Sequence, residues 1–264
     1  MTRFGIFTDA DACIPQALLD ELGILTAPLE PAPYDEDESA QQLRREAAPL
    51  DAAGALHTLA RATSLFPSML YIGAGDGFGG SPEIRAAVEA VSTMSPMRRE
   101  LRLHDSAAAL MGCGWQAVAA ARAGADLDAA VAAAESVRQS VRVIAYLEHP
   151  QFAGVDTTLS SQIIGGKAIV ALQGDQIERL DIPPKRDIGL VKLRELLARE
   201  TREGAGAMHL AVHHAGSAAA AGALAEWARR NLEPVEVVLA PLSRHATMRL
   251  GPRMVGVAWY RESA

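Results

Sequence analysis

Residues 69–91 constrain the fold of this chain more than any other segment, because they combine a strand, a glycine-rich turn and a helix start. Residues 69–72 have the length and the β-branched or aromatic character of a buried strand. The glycine-rich residues 73–80 let the backbone approach a ligand closely, and Ser81 and Pro82 suit the first turn of a helix. This order predicts a pocket whose backbone N–H groups favour an anionic or carbonyl oxygen, although an empty turn fits the same pattern.

Strand-like and helix-like patterns alternate along the whole chain, which predicts an α/β fold. The chain opens with a strand at 4–7, a helix that Asp11 would cap, and a second strand. With 264 residues and 49% apolar content, two domains are favoured over one. We place the boundary before a strand at 141–147, so the predicted domains are an N-terminal α/β domain, 1–140, and a C-terminal α/β domain, 141–264.

Composition and spacing exclude several classes of protein. The formal net charge of −7 argues against a nucleic-acid binder. The sequence shows neither an apolar run long enough to span a membrane nor a signal-peptide pattern at its start. Cys13 and Cys113 lie far apart without CxxC partners, which fits a reducing cytoplasm. His213, His214 and His245 do not have metal-ligand spacing, so we expect neither a metal ion nor a cofactor.

Polar residues follow two of the predicted strands. Thr8 and Asp9 end the first strand, and Asp105 and Ser106 end a strand in the middle of the chain. In open α/β sheets ligands bind at such strand ends, although an isolated aspartate is more often a turn residue. The helix predicted next, 107–123, begins with small residues that let a backbone or a ligand come close.

The glycine-rich turn also allows a dinucleotide-binding interpretation. Gly75-x-Gly77-x-x-Gly80 matches GxGxxG, follows a strand and opens a helix, and Asp105 stands where an acid that binds ribose would be needed. However, the motif lies in the middle of a domain rather than after its first strand, and the chain is rich in glycine. An NAD(P)-dependent oxidoreductase is therefore the alternative function.

Several short motifs occur in a fixed order over nearly the whole chain. Residues 4–15 read FGIFTDADACIP, residues 79–81 read Gly-Gly-Ser, residues 105–114 read DSAAALMGCG, and residues 251–260 read GPRMVGVAWY. In this order they resemble the DegV family, whose corresponding motifs are TDS-x-x-D-L-P, Ser-Gly-Thr, DSxSASMGxG and GPGALG-x-A-x-Y.

This resemblance implies a fold and a function. The expected fold has a Rossmann-like N-terminal domain, with a mostly parallel sheet and helices on both faces, and a second α/β domain with a mixed sheet. The expected function is to bind a long-chain fatty acid or a similar amphiphile, without catalysis, in an apolar tunnel between the domains. Several members of the family present the acyl group to a partner kinase.

Several positions depart from the family pattern, and three of them bear on the ligand head. Gly79 replaces the serine that holds the ligand carboxylate, and only Ser81 keeps a hydroxyl nearby. Glu46 aligns with a threonine that contacts the ligand, where a second negative charge would repel a carboxylate. Arg249 aligns with a histidine, and an arginine can bind a carboxylate through two hydrogen bonds. Loss of lipid binding, leaving an interaction module, is therefore a further alternative.

The resemblance and the strand ends together predict one ligand site. Its polar head would face the Gly79-Gly80 backbone, Ser81 and Arg249, and the remaining residues would form its floor and walls. The complete set of predicted ligand-binding residues is Ser81, Gly79, Gly80, Arg249, Thr8, Asp9, Ser106 and Met111.

Overall fold

The computed structural model of this protein describes residues 4–27, 34, 42–43, 52–75, 82–94, 100–124, 126–155, 166–174, 176–202 and 204–263. The chain divides into two compact units, one of Met1–Pro31 with Ala48–Ser140 and one of Ala32–Ala47 with Val141–Ala264. A short helix predicted at 157–164 lies outside the described residues. Among the helices that are described, none has the length and apolar content needed to cross a membrane.

The first unit is built on a parallel sheet. Its strands are β1 (Phe4–Asp9), β2 (Ile24–Ala27), β3 (Ser68–Gly73) and β4 (Glu100–Asp105), and they lie in the order β2-β1-β3-β4. Its helices are α1 (Gln16–Leu22), α2 (Ala52–Leu65), α3 (Pro82–Met94), α4 (Met111–Ala123) and α5 (Leu127–Ser140). All three pairings between neighbouring strands are parallel, so the carboxyl ends of the strands share one edge of the sheet.

Alternation along β1 directs its side chains to opposite faces of this sheet. Phe7 packs in an apolar cluster with Tyr71 of β3, Leu59 of α2 and Ile84 of α3. Thr8 faces the other way and lies beside α4, where its hydroxyl is 3.6 Å from the Cys113 sulfur. Helices therefore cover both faces of the sheet, and the predicted Rossmann-like arrangement is confirmed.

Two predicted helix starts are wrong. Asp11 does not cap α1 but lies in a 3-10 turn, Ala10–Ala12, and α1 begins only after Pro15. A helix cannot run from Asp11 through this proline, because a proline disfavours the helical conformation in the residue before it. The helix predicted from residue 107 begins at Met111 instead, since side chains at the end of β4 bind the backbone N–H groups of the next residues.

The second unit is built on a mixed sheet, as predicted. Its strands are β5 (Arg142–Leu147), β6 (Ala168–Gln173), β7 (Gln176–Asp181), β8 (Met208–His214), β9 (Glu236–Pro241) and β10 (Val255–Arg261), in the order β7-β6-β5-β10-β8-β9. Its helices are α6 (Arg186–Glu200), α7 (Ala218–Asn231) and α8 (Arg244–Leu250). The pair β8–β9 is parallel and the other pairs are antiparallel, including the β6–β7 hairpin.

Substitution by alanine should have opposite effects on stability at two helical glycines of the second unit. A Cβ on Gly189 would lie 2.3 Å from a ring carbon of the fully buried Tyr146, whereas a Cβ on Gly222 would meet nothing within 4 Å. We expect Gly189→Ala to lower the free energy of unfolding by about 1–3 kcal/mol through overpacking. Gly222→Ala should raise it by about 0.5–1 kcal/mol through helix propensity. Denaturant unfolding of both variants tests this, and equal signs would contradict it.

Candidate functional site

The candidate site lies at the carboxyl-terminal edge of the parallel sheet. β1 ends with Thr8 and Asp9, β3 ends at Gly73, and β4 ends at Asp105 with Ser106 directly after it. Because neighbouring strands are parallel, these strand ends meet at one edge of the first unit. Ligands bind at this edge in open α/β sheets. The sequence-based prediction that these positions share one edge is therefore consistent with the register of the strands.

Asp9 is almost completely buried, with 3% of its surface exposed. The Tyr71 hydroxyl donates a hydrogen bond to its Oδ1 at 2.8 Å, and the Ala74 backbone N–H donates one to its Oδ2 at 2.8 Å. Burial outweighs these hydrogen bonds and raises the pKa of Asp9 from 3.8 to about 7. Asp9 therefore joins β1 to β3 and to the beginning of the glycine-rich segment, and it titrates near neutral pH.

Sequence patterns do not point to Tyr71 as part of this site. A tyrosine in an apolar strand fits a core position equally well, and its ring does pack against Phe7 with centroids 5.3 Å apart. Its partner Asp9 is 62 positions away in the sequence, so only the pairing of β1 with β3 brings the two side chains together.

Thr8 and Cys113 form a buried contact on the face of the sheet that is opposite to Phe7 and Tyr71. The Thr8 hydroxyl donates a hydrogen bond to the Ile72 carbonyl at 2.7 Å and lies 3.6 Å from the Cys113 sulfur. Burial raises the pKa of the Cys113 thiol to about 12. The thiol therefore stays protonated at neutral pH and is a poor nucleophile.

Ser106 begins a short loop that is attached to the end of β3. Its hydroxyl donates to the Ala108 carbonyl at 3.3 Å and accepts from the Ala108 N–H at 3.3 Å. Its backbone N–H donates to the Gly73 carbonyl at 3.0 Å, and the Gly75 N–H donates to the Ala108 carbonyl at 3.2 Å. The loop is thereby held against the first residues of the glycine-rich segment.

Met111 is the first residue of α4 and is fully buried. Its sulfur would lie 2.6 Å from a Cβ on Gly114, and the same Cβ would lie 2.9 Å from Cγ1 of Ile14 and 3.0 Å from the Ala12 carbonyl oxygen. A glycine is therefore required where α4 passes the segment after β1. The flexible, polarisable thioether of Met111 fills the space beside it.

The predicted site residues fall into three groups. Thr8, Asp9, Ser106 and Met111 belong to the first unit and lie at or directly after the carboxyl edge of its sheet. Gly79, Gly80 and Ser81 lie outside the described residues, as does Glu46, and their roles stay predictions. Arg249 belongs to the second unit, where it lies in the last turn of α8.

Arg249 is half-buried in the last turn of α8. Ser243 caps α8 by accepting a hydrogen bond from the Ala246 N–H at 3.0 Å. Gly251, directly after the helix, has a φ of 88°. A Cβ added at this position would lie only 3.1 Å from the His149 carbonyl oxygen. The start and end of α8 are thus fixed, while the Arg249 guanidinium makes no hydrogen bond or ion pair with another described residue.

A charged cluster follows β5 in the second unit. Glu148 accepts hydrogen bonds from the Tyr146 hydroxyl at 2.7 Å, from Arg186 at 3.1 Å and from the Lys167 ammonium group. Burial alone would raise the pKa of Glu148, but the hydrogen bonds from Lys167, Tyr146 and Arg186 outweigh it and lower the pKa to about 2. Glu148 is therefore ionised at neutral pH and serves as an anchor rather than as a proton donor.

The dinucleotide alternative receives no support from the residues that the structure describes. Oδ1 of Asp105 accepts a hydrogen bond from the Ala107 N–H at 2.9 Å, and its Oδ2 lies 3.7 Å from Arg85. The Gly75 N–H donates to the Ala108 carbonyl, so this hydrogen-bond donor is already used and does not indicate a phosphate site. Gly77 and Gly80 of the motif lie outside the described residues.

The two units together have a fold known from solved structures. No family model and no curated protein matches the sequence. The chain is similar to a DegV family protein from Thermus thermophilus that binds fatty acid, with a TM-score of 0.79, 17% identity, and coverage of 98% of this chain and 99% of that one. It is similar to a DegV family protein from Corynebacterium glutamicum, with a TM-score of 0.75, 18% identity, and coverage of 100% and 99%.

A stearic-acid-binding protein from Eubacterium ventriosum is similar as well, with a TM-score of 0.78, 13% identity, and coverage of 98% of both chains. These similarities place the chain among two-domain α/β proteins with one parallel and one mixed sheet. Its fold is the DegV fold, and the resemblance that the motifs predict is confirmed at this level.

The buried Asp9 predicts a pH dependence of stability. In the unfolded chain the carboxyl group loses its proton above about pH 4, whereas the folded protein keeps it up to about pH 7. The folded state therefore binds more protons in this interval, and the contribution of Asp9 to the free energy of unfolding falls as the pH rises through it, by roughly 4 kcal/mol in total.

Asp9→Asn isolates this contribution, because an asparagine can donate to the Tyr71 oxygen and accept from the Ala74 N–H without a charge. The stability of the variant relative to the unsubstituted protein should increase between about pH 4 and about pH 7, measured by denaturant unfolding. A difference that is constant over this interval would contradict the account.

Proposed function

We propose that this protein is a non-catalytic carrier of a long-chain fatty acid or a similar amphiphile. The observation that carries the proposal is the fold, which matches proteins that bind fatty acids over nearly the full length of both chains. The order of the sequence motifs leads to the same function independently. The position of the acyl chain between the two domains stays a prediction from that resemblance.

The chemistry of the sheet edge supports binding rather than catalysis. The Thr8 hydroxyl, the Asp9 carboxyl group and the Ser106 hydroxyl are all engaged in hydrogen bonds within the first unit. Cys113 is held as a neutral thiol. Groups that are buried and paired in this way make a rigid floor, and small residues such as Gly114 allow apolar walls to come close.

The polar head of the ligand is assigned to groups that offer hydrogen-bond donors or positive charge. The Gly79-Gly80 backbone and Ser81 would supply donors at the start of α3, and Arg249 would supply the cation. Thr8, Asp9 and Ser106 would form the floor below the head, and Met111 would contribute to the wall. The same resemblance supports a kinase that acts on the bound acyl group as a candidate partner, and the cysteine pattern supports the cytoplasm as the compartment.

Mass spectrometry of an organic extract of the purified protein tests the function. We expect long-chain fatty acids in the extract, and thermal stabilisation of the delipidated protein by added fatty acid but not by a nicotinamide cofactor. Stabilisation by the cofactor alone would favour the oxidoreductase. An extract without acyl lipids, together with no stabilisation by either compound, would favour an interaction module and contradict the carrier function.

Substitution of Arg249 tests the assignment of the head group. Because its guanidinium makes no ion pair with a described residue, Arg249→Ala should weaken fatty-acid binding by about 1.5–3 kcal/mol, the range of a charge-assisted hydrogen bond. The matched control is Arg199→Ala, which removes an exposed arginine of α6. Titration of both variants with a fatty acid should show a loss only for Arg249→Ala. Equal affinities would remove Arg249 from the site.

A further inference from the structure

Gln116 is a fully buried polar side chain on α4 that sequence patterns do not single out. Its amide nitrogen donates hydrogen bonds to the Ser106 carbonyl at 3.1 Å and to the Gly112 carbonyl at 3.0 Å. Its amide oxygen lies 2.8 Å from Nε2 of His104. One side chain thus connects the end of β4, the loop after it and the first turn of α4.

The directions of these hydrogen bonds follow from chemistry. Carbonyl oxygens only accept, so the end of Gln116 that faces Ser106 and Gly112 must be the amide nitrogen. The other end is therefore the amide oxygen, which also only accepts, and His104 must carry a hydrogen on Nε2. Both ends of the amide are consistently paired, as a buried polar group requires.

The loop between Ser106 and Met111 needs such support. Ala107 and Leu110 have φ angles of 46° and 51°, in the left-handed region that residues with a Cβ rarely adopt. Such conformations persist only where the surrounding contacts determine them. Gln116 binds the carbonyl of Ser106 at the start of the loop and the carbonyl of Gly112 just beyond its end.

The supported loop belongs to the proposed ligand site. It contains Ser106, leads directly into Met111, and binds the Gly75 N–H through the Ala108 carbonyl. We propose that Gln116, oriented by His104, is a positioning residue that holds the floor and wall of the acyl-binding site without contacting the ligand. This inference rests on the proposed function.

A near-isosteric variant with a matched control tests the inference. Gln116→Met keeps the length of the side chain and removes all three hydrogen bonds. The control is Thr63→Val in α2, where a buried hydroxyl makes one local hydrogen bond to the Ala60 carbonyl at 3.0 Å. Both variants are titrated with palmitate at a temperature where near-ultraviolet circular dichroism shows them to be folded.

We expect Gln116→Met to lower the affinity for palmitate about tenfold or more, and Thr63→Val to change it less than about twofold. A merely structural role would change stability in both variants and affinity in neither. His104→Phe, which removes one of the three hydrogen bonds, should give a loss of about threefold, and it serves as the test if Gln116→Met does not fold.

The outcomes separate the inference from the function on which it rests. If the unsubstituted protein binds palmitate and the folded variants of Gln116 and His104 bind it equally well, the positioning role is wrong and the carrier function stands. If the unsubstituted protein does not bind palmitate, the function is wrong and the inference falls with it.

Discussion

The arrangement of the first unit depends on one buried carboxyl group. Asp9 lies at the end of β1 and accepts hydrogen bonds from the Tyr71 side chain of β3 and from the Ala74 backbone beyond it. Two strands and the entry to the glycine-rich segment are therefore tied to a single side chain. Burial raises its pKa to about 7, so this connection changes its charge close to physiological pH.

The groups around Asp9 explain why the sheet edge is suited to binding rather than to chemistry. The Thr8 and Ser106 hydroxyls are used for internal hydrogen bonds, and the Cys113 thiol keeps its proton. For the ligand head we therefore propose Arg249, a half-buried arginine in the last turn of α8, and its contact with a ligand stays a prediction.

Much of the fold could be predicted from the sequence because it depends on local patterns. The strands of both units and the β6–β7 hairpin follow from apolar runs and turns. An aspartate before a helical pattern is typical of an N-cap, and Asp126 does cap α5 by accepting from the Ala129 N–H at 2.8 Å. The helix start predicted at Asp11 is wrong because Pro15, four residues later, prevents a helix from beginning there. The start of α4 depends on side-chain bonds at 105–108, which compete with a helical pattern rich in alanine.

The site was predictable only in part, because its contacts join distant residues. The strand pattern predicts that Thr8, Asp9 and Ser106 lie at strand ends, and the structure places them at the carboxyl edge of the sheet, while their contact with a ligand stays a prediction. Tyr71 and Gln116 could not be predicted in this way. A tyrosine in a strand and a glutamine in a helix fit many positions, and their hydrogen-bond partners come close only in the folded chain. At identities of 13–18%, the similarity to the solved structures shows the fold of this chain but not its contacts with a ligand head. The motifs for those contacts are also where this sequence departs from the family pattern.

The carrier account is tested most directly by equilibrium titration of the delipidated, unsubstituted protein with palmitate. It predicts saturable binding of one equivalent of the acid. Failure to bind palmitate, in a preparation whose circular dichroism shows an intact α/β fold, would contradict it.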